Sequence, residues 1–182
     1  MGSSRGKIGP HQEKAYSAKP NSSPAWKNKN HLRSYLQITP ASFQNLSHFL
    51  ESAADQLKFD ALDLYLIQPE ADQPVCCYLM GFHHPSGFKE QTHTWKGLVW
   101  RVIAKKDLVT LPDLWLERAS LQRAQQFHRE GFVSYHAAPL AADGILIGVL
   151  ETYFRNQFQP NPSWFKLLRG VAKESAKLIL EP

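Results

Sequence analysis

Cysteine is nearly absent from this sequence, with two in 182 residues. They are adjacent, Cys76-Cys77, inside the apolar run "VCCYLMGF". Neighbours on a strand point to opposite faces, so a bond between them would be badly strained. That excludes a disulfide scaffold, and the lack of any Cys-x-x-Cys pair removes the usual redox and zinc arrangements. Two buried thiols in a reducing compartment are expected. Long hydrophobic runs are missing too. Nothing approaches the ~20 residues of a membrane span, and no segment has the form of a signal peptide, so a cytoplasmic protein with no membrane contact is expected.

Basic charge is lacking where a nucleic-acid face would need it. The net charge is +5, but residues 1–40 carry seven Lys/Arg against one Glu, leaving fourteen against fifteen for 41–182. The excess therefore belongs to the first forty residues, and no nucleic-acid partner is expected. That segment is rich in Ser, Lys, Asn and Pro without hydrophobic periodicity. It reads as a disordered basic tail or linker, leaving one domain over 41–182.

Within the domain, Phe43, Leu46, Leu50, Ala53 and Leu57 recur at three-four spacing, predicting a helix over 42–58 with Ser42 as its cap and Pro40 opposing an earlier start. Ala61–Gln68 alternates Leu62, Leu64 and Leu66 against Asp63, Tyr65 and Ile67, a strand that pairs with Val75–Phe82 across a turn. His83–Trp95 reads as a loop, 97–106 as a short helix, the "DLVTLPDL" that follows as a brief strand, and 114–129 as a helix closed by Gly131. Phe132–Ala141 and Ile145–Phe154 form a hairpin about Asp143-Gly144, with Pro139 at a bulge or with its nitrogen facing outward. Pro162–Leu180 is a closing helix capped by Asn161. This order predicts an α+β fold: a mainly antiparallel central sheet, terminal helices on one face and a helical crossover on the other.

The hairpin holds a conspicuous polar set. With an even loop, opposite parities face each other, placing Ser134, His136 and Ala138 beside Val149, Glu151 and Tyr153. Tyr135, Leu150 and Phe154 then belong to the apolar side. An odd loop would undo this grouping. Ser134, His136 and Glu151 offer the parts of a hydrolytic triad, but a straight strand supplies no nucleophile elbow and no oxyanion turn. A cavity lining or a cross-strand brace is the reading, with no catalytic residue. His83, His84 and His93 lack convergence and carboxylate support, so no metal site is expected.

Three segments carry a family resemblance. "KGLVWRVIAKKDLVTLPDL", "EGFVSYHAAPL" and "GILIGVLETYF", in this order and spacing, resemble the GAF domain, a sensory module of bacterial signalling proteins with a GAF/PAS-like fold. The resemblance covers about Ser42 to Leu180. It implies a small-molecule pocket or a dimerisation surface; the expected module passes its signal through the terminal helices, either to an effector domain outside this chain or by association, the alternative being an interaction domain whose pocket is filled by its own side chains. It rarely implies an enzyme. The exception is the free methionine sulfoxide reductase type, whose crossover cysteines have no counterpart in "WKGLVWRVIAKK". The pattern of the cyclic-nucleotide type is not matched by "RNQFQPNPSW", and the thiol needed for bilin attachment is missing.

The family's fold places the crossover over one sheet face. The expected ligand site is therefore walled by Trp100, Trp115 and Phe132, with Ser134, His136, Glu151 and Tyr153 as polar contacts and Arg101 and Arg129 the nearest cations. No cofactor is specified. Surplus apolar residues on the terminal helices, such as Phe49, Trp164 and Leu167, lead to an expected homodimer.

Overall fold

The computed structural model describes residues 39–68, 73–85, 97–117 and 123–180. The expected tail lies outside the described residues except for Thr39 and Pro40, as do His93 and Trp95.

Helix α1 runs Pro40–Leu57. Thr39, not Ser42, is its cap, its hydroxyl accepting from the Ser42 amide at 3.1 Å. Pro40 starts the helix instead of delaying it, because a first-turn nitrogen has no intrahelical partner to lose. Ser42 turns inward with Leu46, Leu50, Ala53 and Leu57, while Phe43 is 39% exposed. Strands β1 (Ala61–Gln68) and β2 (Gln73–Met80) follow, then helix α2 (Leu98–Lys105) and strand β3 (Val109–Leu111). Helix α3 runs Ala124–Glu130 and residues 114–117 form a turn, so the helix expected over 114–129 is present in its last part and not at its start, while 118–122 lie outside the described residues. Strands β4 (Ser134–Ala142) and β5 (Ile145–Phe154) precede helix α4 (Pro162–Leu180). Asn161 caps α4 as expected, accepting from the Trp164 amide at 2.9 Å.

The five strands form one sheet in the order β2-β1-β5-β4-β3, antiparallel throughout. Helices α1 and α4 pack together on one face, where the Trp164 indole donates to the Leu57 carbonyl at 2.9 Å. Helix α2 lies against β4 and β5 on the crossover face. The α+β architecture expected from the sequence is the one observed. Strand β3 pairs only with Tyr135, His136 and Ala137, so Pro139 stands beyond its reach and removes no ladder bond to it.

The hairpin register corrects the expected face assignment. The turn has two residues, Asp143 and Gly144, both at positive φ, and pairs Ala142 with Ile145 and Ala141 with Leu146. That is the even loop, and near the turn parities are opposite. One residue of β5, Ile147, is then bulged out, and from Leu140↔Gly148 onward like parities pair: His136↔Thr152, Tyr135↔Tyr153, Ser134↔Phe154. Ser134, His136 and Ala138 therefore share the helix face with Leu150, Thr152 and Phe154. Glu151 and Tyr153 join Tyr135 and Ala137 on the crossover face. Gly148 admits the close passage of β1 beside this bulge, since a Cβ there would fall on the Tyr65 carbonyl.

Candidate functional site

The crossover face of the central strands holds a buried charged cluster. Alternation on β1 turns Asp63 and Tyr65 to this face, β4 adds Tyr135, and β5 adds Glu151 and Tyr153. Asp63 is directly opposite Glu151, and Tyr135 directly opposite Tyr153. Arg123, immediately before α3, inserts its guanidinium among them. It donates to Glu151 Oε2 and to the Tyr65 hydroxyl at 2.9 Å each, and to the Tyr153 hydroxyl at 3.3 Å. Its approach to Asp63 Oδ2 is looser, 3.6 Å. Asp63 and Glu151 have no exposed surface, and Arg123 is 7% exposed.

The hydrogen bonds are shared unequally between the two carboxylates. Glu151 accepts from Tyr135 at 2.5 Å, Tyr153 at 2.8 Å and Arg123. The Tyr153 hydroxyl oxygen also lies 3.2 Å from Asp63 Oδ2, but it has one proton, and the shorter distance assigns that proton to Glu151. No donor reaches Asp63 Oδ1. Burial, and next the neighbouring Glu151 charge, push the Asp63 carboxyl well above the usual carboxylate range despite Arg123. Burial likewise raises the Tyr65, Tyr135 and Tyr153 hydroxyls, which keep their protons and remain donors. Burial opposes the charge on Arg123, but the acceptors around it more than offset this, and it stays a cation.

Aromatic packing encloses the cluster. Phe132 stacks on Tyr153 with centroids 4.8 Å apart, Phe82 meets both edge-on, and Arg155 covers the other side of Phe132 at 5.0 Å. Glu130, buried at the end of α3, accepts from the His83 and His84 amides and pairs with Arg155 at 3.2 Å. This carboxylate ties the end of α3 to the segment after β2 and to the end of β5. Trp115 is half-buried and meets His128 edge-on at 5.3 Å, and Trp100 is half-buried on α2.

The helix face is different in kind. Ser134 donates to the Asn156 carbonyl at 3.0 Å and accepts from the Phe158 amide at 3.2 Å, bracing the connection between β5 and α4. His136 is fully buried among Phe154, Phe158, Trp164 and Phe165, and neither ring nitrogen has a partner of ordinary geometry. Burial drops its pKa to about 4, with only a small opposing effect from the Phe158 backbone.

Of the expected site residues, Phe132, Glu151 and Tyr153 come together on the crossover face. Ser134 and His136 do not join them, because the bulge puts them on the opposite side of the sheet. Trp100 and Trp115 belong to the crossover, and no ring contact joins either to the cluster's side chains among the contacts described. The cation of the site is Arg123, whereas Arg101 pairs with Glu117 and Arg129 is exposed. Asp63, Tyr65, Tyr135 and Arg123 were missed. A lone acid at the centre of an otherwise apolar strand was the available signal for Asp63, and nothing local marked Arg123. Among the described residues no three His, Cys, Asp or Glu side chains converge as a metal ion would require.

The thiols lie beside this region. Cys76 pairs in register with Tyr65, and Cys77 is the extra residue of a second bulge, its thiol 3.3 Å from the Leu64 carbonyl. Burial pushes both thiols up, Cys77 to about 12, which keeps them protonated.

No protein-family model matches this chain, and no curated protein matches it in sequence. Solved structures do. The GAF domain of a phosphoenolpyruvate-protein phosphotransferase from Coxiella burnetii is similar at 19% identity and a TM-score of 0.66, covering 83% of this chain and 93% of that one. The GAF domain of a two-component sensor histidine kinase from Bacillus halodurans gives 14% and 0.56, with 73% and 92% covered. A free methionine-R-sulfoxide reductase from Neisseria meningitidis, solved with its substrate, gives 18% and 0.56, with 76% and 77% covered.

Proposed function

We propose, from the premise that this chain has the GAF fold, that it is a small-molecule-binding regulatory module of a signalling protein. The ligand site is the crossover face around Asp63, Tyr65, Arg123, Tyr135, Glu151 and Tyr153. The observation that carries the reading is the buried cluster itself. A sheet covered on both sides needs apolar residues there, and replacing a buried ion network by apolar side chains of similar volume is often neutral or stabilising. Departures of this kind concentrate at functional sites. The similar GAF domains come from a phosphotransferase and a sensor kinase, which supports a regulatory role.

The module has no catalytic role in this reading. It signals through α1 and α4, to an effector outside this chain or to a second copy. Of the residues expected to join two copies, Trp164 is buried within the domain, while Phe49 and Leu167 are only partly covered. Phe43 on α1 is the more available contact, and sedimentation should show a dimer that Phe43→Glu weakens.

Similarity to methionine sulfoxide reductases favours a second, redox reading. The raised pKa of both cysteines speaks against it, since the thiolate is the nucleophile. Reduction of free methionine sulfoxide by the purified chain would reverse the preference.

Native mass spectrometry of the purified full chain tests the main reading. The expected result is a released small molecule that also slows hydrogen exchange at residues 61–65, 134–138 and 149–154, with binding weakened by Tyr135→Phe. A chain that carries no compound and responds to none in a thermal-shift screen of cationic, anionic and neutral metabolites sinks it.

A further inference from the structure

The cluster's acceptors stand on the sheet, but its cation comes from outside it. Asp63 and Glu151 are held opposite each other by the β1–β5 ladder, and Tyr135 and Tyr153 by the β4–β5 ladder. Arg123 belongs to the crossover, at the start of a seven-residue helix with no side-chain cap. The far end of α3 is fixed by Glu130 to the His83 and His84 amides and to Arg155. Helix α3 thus has one end tied to the body of the fold and one end held by the Arg123 guanidinium.

Of the two carboxyl groups, the guanidinium serves Asp63 incompletely. It meets Glu151 and Tyr65 at 2.9 Å, but Asp63 Oδ2 only at 3.6 Å, and Asp63 Oδ1 is buried with no donor. The Tyr65 and Phe127 rings, 5.7 Å and 5.2 Å from the guanidinium carbon, present faces that attract any cation. Two carboxyl groups, a tyrosine set and two ring faces therefore form a receptor for positive charge. An anion placed here would meet Asp63 and Glu151, and an apolar group in place of Arg123 would leave Glu151 without its counter-charge.

We propose that Arg123 holds the place of a cationic ligand, and that the site binds a small guanidinium- or amine-bearing molecule, which exchanges with the Arg123 side chain and frees the start of α3. The proposal rests on the ligand-binding reading above and adds to it the ligand's charge and the internal competitor. Because Arg123 occupies the site in the unliganded chain, the apparent affinity of wild type is reduced by the fraction of molecules in which it has withdrawn.

The test uses methylguanidinium as the cationic probe and urea as a neutral control, at low millimolar concentration on the full chain, read by calorimetry and thermal shift. Arg123→Met should bind methylguanidinium at least tenfold more tightly than wild type and recover melting temperature with it, but not with urea. Asp63→Asn with Glu151→Gln in that background should remove the response. Should Arg123→Met not fold, Arg123→Lys, too short to serve Glu151 and Tyr65 together, should show the same tighter binding. Equal affinity in wild type and variant, or a response to urea as large as to methylguanidinium, overturns the proposal. A neutral or anionic compound copurifying with Arg123 still paired to Glu151 overturns it too, while leaving the ligand-binding reading intact.

Discussion

The two faces of the sheet bury polar residues by opposite means. The crossover face keeps formal charge and surrounds it with donors, so that Glu151, with no exposed surface of its own, accepts three hydrogen bonds. The helix face keeps a titratable residue, His136, by letting it stay neutral inside an aromatic box. A charge network depends on every member, because removing one partner strands another. A neutral imidazole depends only on pH. Polarity alone does not mark a ligand site: the face whose polar groups converge on one point is the candidate, and the face whose polar groups stand apart, Ser134 and Thr152 bonded to backbone and His136 alone among rings, is packing.

The largest expected effect follows from breaking the charge network. Arg123→Met removes the counter-charge of Glu151 and should destabilise the fold by about 3–5 kcal/mol in chemical denaturation. A loss below about 1 kcal/mol would mean the cluster is solvated in solution, and the contrast between the faces would fail.

On the helix face, acid should do what mutation does on the other. His136 is held at about 4 in the fold against an ordinary 6.5. Between those values the unfolded chain binds the extra proton, so stability is full above pH 6.5 and falls as pH drops toward 4. The loss from this residue should total roughly 3 kcal/mol. His136→Phe should flatten that part of the pH profile and be neutral or stabilising at pH 7. An unchanged profile in the variant would show that His136 finds a partner in solution.

Asp63 responds in the opposite sense. Its folded pKa is raised, so the folded state holds its proton longer than the unfolded one, and its ionisation costs stability as pH rises from the unfolded value near 4 through the folded one. Asp63→Asn, which keeps the shape without ionising, should gain on wild type as pH is raised, the advantage vanishing in acid. Parallel curves for the two proteins would place a full negative charge on Asp63 in a satisfied site.

Much of this architecture was legible because it rests on local rules. Alternation over Ala61–Gln68, the Asp143-Gly144 turn and three-four spacing in α1 and α4 each mark an element without tertiary information. The face assignment of the hairpin was not. It turned on one bulged residue, Ile147, and a bulge reverses every side chain beyond it while leaving the composition of the strand unchanged. Glu151 and Tyr153 were found because both were polar in an apolar strand. They were grouped with Ser134 and His136, which lie across the sheet from them. Arg123 stayed hidden because its partners are 28 to 60 residues away, Glu151 on one side and Asp63 on the other, and no local pattern encodes such a pairing.

The smallest effect gives the sharpest control. Ser134 is polar, buried and close in sequence to Tyr135, yet it belongs to the helix face, where it joins the Asn156 carbonyl and the Phe158 amide. Ser134→Ala should cost about 1–2 kcal/mol, since both backbone groups lose a partner in a partly buried setting. It should leave any ligand affinity unchanged, because its hydroxyl faces away from Arg123 and Glu151. Tyr135→Phe, one residue along on the same strand, should do the reverse to binding, because it takes a donor from Glu151. If Ser134→Ala weakened binding while stability held, the ligand would lie on the helix side and the two faces would have to exchange roles.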